Sequence, residues 1–262
     1  MTNTKYRLIP EDYKEICGKK LYRIEALKDF GDVKAGDLGG YIESEDNLSH
    51  DGNAWVGGYT RVYGNARVYG NARVYGNACV RDNARVYGNA RVYGNACVRD
   101  NARVYGNAWV YGNACVRDNA RVYGNAWVYG NACVRDNAWV YGNARVYGNA
   151  WVGGNAWVYG NARVYGNARV YGNACVRDNA WVGGNASWLV VGPIGSRDGF
   201  TTFLSGEDGI YVSCGCFYGS ISEFEKAVEK THAGTKHEKD YKLAIELAKS
   251  RIVTTEVNED EV

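Results

Sequence analysis

The sequence predicts an all-β solenoid, a three-sided parallel β-helix of hexapeptide repeats carrying a small α+β unit at its C-terminal end. Three observations predict it. Valine recurs in every hexad from Val56 to Val182, 22 times in all, with alanine two positions before it in every hexad but one, where Thr60 substitutes. A longer period of three hexads overlies the first: RVYGNARVYGNACVRDNA at 67–84 recurs unchanged at 85–102, and again at 103–120 and 121–138 with one Arg replaced by Trp. The composition is biased as repeats are, with 34 Gly and 22 Tyr against 2 Pro and 1 Met.

Each hexad, Ala-x-Val-x-Gly-Asn, reads as a short strand and a corner. Residues i and i+2 of an extended chain share a face, so Ala and Val point one way and the residue between them the other. Gly and Asn both tolerate the positive φ of a tight corner. Three hexads per long period make a three-sided coil, and parallel coils stack about 4.8 Å apart. Roughly seven coils then form a rod about 35 Å long with Ala and Val along its axis. A helix is excluded, because alternation inside a hexad period does not match the turn of a helix and each hexad would carry a helix-breaking Gly.

Residues 1–53 are expected to cap the rod's first edge, with a strand over Leu21–Leu27 and an irregular first coil from Gly31 to Ile42. The rod occupies 54–186. Residues 187–262 read as an α+β cap or interaction unit. There, Ile210–Phe217 alternates as a strand with Thr201–Ser205 as its hairpin partner. Ser222 is placed as N-cap of a helix from Glu223 to Lys230, and a second helix over Asp240–Ile252 buries Tyr241, Ala244, Ile245, Ala248 and Ile252. The acidic residues after Thr254 are expected to fray.

The hexads, with DFGDVKAGDLGGYIESEDNLS at 29–49 before them and GIYVSCGCFYGSISEFEKAVEKTH at 209–232 after, resemble the YdcK-like hexapeptide-repeat proteins of phages and prophages. The resemblance implies a left-handed coil and a phage or prophage setting, and it implies no reaction.

Charge is unevenly spread. Segment 1–53 carries 8 basic and 11 acidic residues (−3), the rod 15 Arg and 5 Asp (+10), and 187–262 carries 8 basic and 13 acidic (−5). With a period of three hexads, outward residues stack in columns. One reads Arg61, Cys79, Cys97, Cys115, Cys133, Trp151, Arg169; a second Arg67, Arg85, Arg103, Arg121, Trp139, Trp157, Cys175; a third Trp55, Arg73, Arg91, Trp109, Trp127, Arg145, Arg163, Trp181. Tyrosines after the valines, such as Tyr69, Tyr87 and Tyr105, should stack near the corners. Stacked arginines repel one another, and an anionic partner would relieve that cost. The ligand-binding candidates are therefore Arg67, Arg85, Arg103 and Arg121 with Trp127, Trp139, Trp151 and Trp157, the tryptophans forming an aromatic belt within two coils.

Catalysis finds little support. Hexapeptide acyltransferases use a histidine base, yet no His lies between Ala54 and Ala186. His50, at the first coil, is the one histidine placed to serve. Cys214, Cys216, His232 and His237 make C-x-C-x15-H-x4-H, which is not a zinc spacing, and the two cysteines read as buried thiols sharing a strand face. The Cys79–Cys133 ladder offers a possible metal or redox surface that duplication of one unit explains equally well. The Gly-rich hexads lack the strand–loop–helix context of a phosphate loop. No catalytic residue, metal or cofactor is assigned. The reading is a non-enzymatic, cytoplasmic solenoid whose basic, aromatic surface binds a protein partner or a second copy, with a phage role in host interaction or anti-defence. Two alternatives stand beside it: a module binding nucleic acid or another anion through the Arg and Trp columns, and an acyltransferase relative lacking the usual histidine. No membrane partner is expected, since no stretch approaches the roughly 18 apolar residues of a span.

Overall fold

The structure, a computed structural model, describes residues 4–178, 180–183, 188–206 and 209–252. Strands β1 (Tyr6–Ile16), β2 (Lys19–Ala26) and β3 (Leu38–Ile42) lead into short hexad strands running from β4 (Trp55–Val56) to β25 (Trp181–Val182). Strands β26 (Trp188–Ile194), β27 (Gly199–Gly206), β28 (Gly209–Cys214) and β29 (Phe217–Ser220) follow, then helices α1 (Ile221–His232) and α2 (Lys236–Arg251).

Each hexad strand pairs in parallel and in register with the strand three hexads further on, as Arg103 does with Arg121 and Val104 with Val122. Three sheets of 10, 8 and 7 strands result, and their outward residues are the three columns read from the sequence. We call them the cysteine face, the tryptophan face and the arginine face. Backbone N–H groups donate straight to the next coil: Arg103 to Ala120 O at 2.9 Å, Tyr105 to Val122 O at 3.0 Å, Asn107 to Gly124 O at 2.8 Å. The hexad alanines and valines are fully or almost fully buried and form one continuous core. In a core this fully buried, both an added and a removed methylene are destabilising.

The corners explain the Gly-Asn signature. Gly106 sits at φ +70, and a Cβ built there would lie 3.0 Å from the Gly124 nitrogen in the next coil. Aspartate takes this position in the Cys-Val-Arg-Asp hexads, at φ 59 in Asp100, and its carboxylate accepts the N–H of the next corner, as Asp82 does from Asp100 at 3.4 Å. That hydrogen bond offsets the cost of a left-handed backbone with a side chain. The asparagines form three ladders in which each Nδ2 donates to the Oδ1 one coil on, at 3.0–3.3 Å, for example Asn89 to Asn107 and Asn107 to Asn125.

Both rod ends are closed. At the N-terminal end Tyr41 of β3 pairs in parallel with Arg61 and Leu48 with Val68, so the first coil runs from β3 into β4. Asn47 Nδ2 donates to the carbonyls of Gly64 and Ala66, standing in for a missing coil. The buried Lys5 donates to Ala54 O at 2.8 Å over the Phe30 ring. At the C-terminal end β27 crosses the last coils. Leu204 joins the rod core, Thr202 Oγ1 accepts the Cys175 N–H, and Phe203, facing the other way, packs into the helix core with Phe224.

Several expectations need correction. Helix α1 begins at Ile221 with Ser220, not Ser222, as its N-cap; Ser220 and Glu223 hydrogen-bond reciprocally in a capping box. Helix α2 begins earlier than expected, at Lys236, although all the side chains expected to be buried are buried. The expected strand over Ile210–Phe217 is divided: β28 ends at Cys214 and the chain turns before β29. Cys216 therefore lies exposed in a turn and shares no strand face with the half-buried Cys214. Strands β1, β26 and β29 are additions to the sequence reading. The acidic residues after Thr254 lie outside the described residues.

The in-register stack makes a stability prediction. Deleting 85–102, one whole coil, should leave a cooperative unfolding transition and an unchanged circular dichroism per residue. Deleting only 85–90 rotates every later column by one face and should lower the melting temperature sharply, as a thermal melt of the two deletions will show.

Candidate functional site

The structure distributes the predicted site residues over all three faces. Arg67, Arg85, Arg103, Arg121, Trp139 and Trp157 share the arginine face, in register. Trp127 lies on the tryptophan face and Trp151 on the cysteine face, so the aromatic belt winds round the rod and makes no single patch.

Ring geometry further divides the aromatics. Tyr69, Tyr87, Tyr105, Tyr123, Tyr141 and Tyr159 form a continuous stack at the corner between the arginine and tryptophan faces, with centroids 4.8–4.9 Å apart and planes within 4°. Trp139 stacks on Trp157 at 5.4 Å and Trp109 on Trp127 at 5.5 Å. Ring faces already covered by neighbours cannot take up a base or a sugar. The column contributes instead to stability, at about 0.5–1.5 kcal/mol per pair. Trp157 is the exception on the arginine face: one side rests on Trp139, its strand neighbour on the other side is the small Cys175, and it is 44% exposed.

The arginines also divide. Arg121 lies over Trp139 at 4.7 Å, Arg145 over Trp127 at 5.3 Å, and Arg163 over Trp181 at 4.3 Å. Arg81, Arg99, Arg117 and Arg135 stand at the corner between the cysteine and arginine faces, each within 3.1–3.7 Å of the aspartate that follows it. Arg67, Arg85 and Arg103 are exposed, and no ion pair or ring contact engages them among the described residues. The sequence sets these arginines beside the aspartates of Cys-Val-Arg-Asp, where the two stacks could pair across coils; the structure pairs each arginine with the aspartate of its own hexad.

His50 closes the N-terminal end of the arginine face beside a cavity of about 400 Å³ lined by Glu45, Asp46, Arg67, Tyr69 and Arg85. Its ring stacks on Tyr6 at 4.2 Å, and its Nδ1 accepts the Lys5 N–H at 3.1 Å. The neutral ring therefore carries its proton on Nε2, 3.7 Å from Glu45, and the one nitrogen able to accept a proton is occupied.

The thiol ladder is polarised. Cys79, at its end, is held well below the usual thiol range, at about 6, by the hydrogen bond from Cys97, with Tyr63, Arg61 and Arg81 adding to the effect. Cys133, at the other end, is pushed up because its hydrogen bond to Cys115 and its burial both oppose ionisation. Among the described residues no three His, Cys, Asp or Glu side chains gather as a metal set, the Cys214–His237 group included. A second cavity of about 410 Å³, absent from the sequence reading, lies in the C-terminal unit between Ile194, Arg197, Phe200, Phe224, His232 and Tyr241. No helix among the described residues is long and apolar enough to cross a membrane.

These features define a parallel β-solenoid repeat protein, closed at both ends, with stacked polar ladders outside and an alanine–valine axis. The family model of the YdcK beta solenoid repeat matches successive stretches between residues 60 and 184. Over those stretches the chain carries repeats of the YdcK beta solenoid type, and it is a β-solenoid repeat protein. No curated protein matches the chain significantly.

The tyrosine column sets an alkaline limit. Burial, with repulsion from Tyr159, lifts the Tyr141 phenol to about 12, and Tyr105 and Tyr123 shift the same way. A phenol whose folded pKa exceeds the unfolded value stabilises the fold fully below about pH 10 and loses that contribution as pH rises towards 12. Thermal melts should fall most steeply above about pH 10, with phenolate absorbance appearing as the rod unfolds.

Proposed function

We propose that the chain is a non-catalytic binding scaffold whose arginine face docks an acidic protein partner. The observation that carries this reading is the stack of Arg67, Arg85 and Arg103, unpaired among the described residues and one coil apart on a rigid sheet. Neighbouring guanidiniums at that spacing repel by on the order of 1 kcal/mol per pair in water, a cost that carboxylates of a partner would convert to a gain. Trp157, at the far end of the same column, supplies an aromatic anchor of the kind that dominates protein interfaces. Two acidic segments flank the basic rod, so a second copy of the chain also qualifies as the partner. The setting proposed is the cytoplasm, that of the host if the chain is phage-encoded and acts on host components, where thiols stay reduced.

A second reading, a nucleic-acid module, draws on the same arginines and on the open ring face of Trp157. It is the weaker of the two, because self-stacked tyrosines leave few platforms for bases.

Pull-down from host lysate with and without nuclease separates them. Protein capture that survives nuclease is expected. R67Q/R85Q/R103Q should weaken it roughly ten- to hundredfold, at about 0.5–1 kcal/mol per exposed charge. Capture that disappears with nuclease, and a salt slope of about one per phosphate, would favour the second reading. Unchanged capture by the triple variant overturns both.

A further inference from the structure

Four thiols stand in register on adjacent parallel strands of the cysteine face: Cys79, Cys97, Cys115 and Cys133. All four are free; three are half-buried and Cys133 is buried. The rod rises 4.8 Å per coil, as its stacked tyrosines record, and the thiol column shares that rise. Each thiol faces the next across one parallel, in-register strand pair, and Cys79 Sγ also lies 3.9 Å from the Tyr63 hydroxyl. Arg81, Arg99 and Arg117 each stand two residues after a ladder cysteine, close enough for their charge to favour the thiolates of Cys79, Cys115 and Cys133.

This spacing separates the chemistries open to a row of thiols. A disulfide needs sulfurs about 2.05 Å apart and Cβ atoms about 3.5–4.5 Å apart, so forming one would buckle the stack. Zinc needs four ligands around one point, whereas these sulfurs lie in a row with nothing completing a set among the described residues. Two metal–thiolate bonds of about 2.3 Å placed in line span about 4.6 Å, close to one coil rise. Soft monovalent d10 cations combine with thiolates, and thiolate ligands select copper(I).

The geometry points to a binding site for a soft monovalent cation, copper(I) or its silver(I) analogue, bridged linearly between neighbouring thiols of the ladder, Cys79 with Cys97 and Cys115 with Cys133. On binding, each thiol releases its proton to solvent, two sulfur–metal bonds form, and no electron is transferred. Two thiolates and one monovalent cation leave a net charge of −1, which the corner arginines, each shared with the aspartate that follows it, offset in part. Partial burial keeps water from competing as a third ligand. The cation site lies on a different face from the proposed docking surface and stands without it.

The test is titration of the reduced full chain with copper(I), buffered by a copper(I)-selective chelator and kept free of oxygen. Two double variants retain the same number of thiols. C115S/C133S keeps the adjacent pair Cys79 and Cys97, while C97S/C133S keeps Cys79 and Cys115 two coils apart. The unaltered chain should hold two cations and the adjacent variant one. The separated variant should bind on the order of a hundredfold more weakly, because its second thiolate is no longer within reach as an intramolecular ligand. X-ray absorption of the loaded chain should show two sulfur neighbours. Equal binding by the two variants, loss of titratable thiols without bound metal, or a doubling of mass on adding copper would each overturn the proposal.

Discussion

The structure depends on one constraint: the chain must close each coil in three hexads, so that every hexad donates its N–H groups to the hexad directly above it in the next coil. Arg103, Tyr105 and Asn107 all donate to the next coil at 2.8–3.0 Å, and the pattern continues along the rod. Nothing else in the repeat is free once this is set. The axis admits one Ala and one Val per side, the corner admits a left-handed residue, and the face admits one outward side chain. A β-branched core and a Gly-Asn corner are the sequence form of that closure.

Strict register also forces like to stand on like, and residue types differ in how they bear it. Asparagine gains, since each amide donates to the one beyond it. Tyrosine gains through offset stacking, at centroid distances of 4.8–4.9 Å. Arginine loses, because identical charges one coil apart repel. The chain relieves most of this loss internally. Corner arginines take the following aspartate, and several face arginines lie over a tryptophan one coil away. The Arg–Trp interleaving that looks like a recognition surface in the sequence is thus in good part a neutralising device. What remains unrelieved among the described residues is the short run Arg67, Arg85, Arg103, and this selects the arginine face from the three.

Legibility in the sequence follows the same division. The rod and its columns were legible because a period of three hexads is a statement of geometry, with no tertiary choice left to make. The ends were less so. Pro10 and a register shift between Ile9 and Tyr13 break the alternation that would have marked β1. Ser220-Ile-Ser-Glu223 spells a capping box starting at Ser220, yet Ser222, two positions on, looks equally suitable until the Glu223 partner is counted. In α2, Thr235 caps without a side-chain hydrogen bond, so its start carries no strong local mark. Which arginines are paired is written in the columns and not in the hexad, since Arg91 and Arg103 occupy equivalent positions in their hexads and differ only in what stands one coil away. Arg91 meets Trp109, at 4.5 Å, whereas Arg103 lies between two further arginines.

That difference shows how such a rod is tuned. Adding a coil adds one side chain to each column without disturbing the others, because both ends are closed by their own devices: Asn47 and Lys5 at one, Thr202 and Leu204 at the other. An added Arg next to Arg lengthens the unpaired run and raises its repulsion; a Trp ends it. The unit 85–102, identical to 67–84, extends the arginine column, and the change from Arg121 to Trp139 one coil on terminates it. Duplication therefore sets the length of the basic strip, and a single substitution per duplicated unit sets where it stops. A binding surface built this way changes in steps of one coil while its core, corners and hydrogen-bond ladders stay the same.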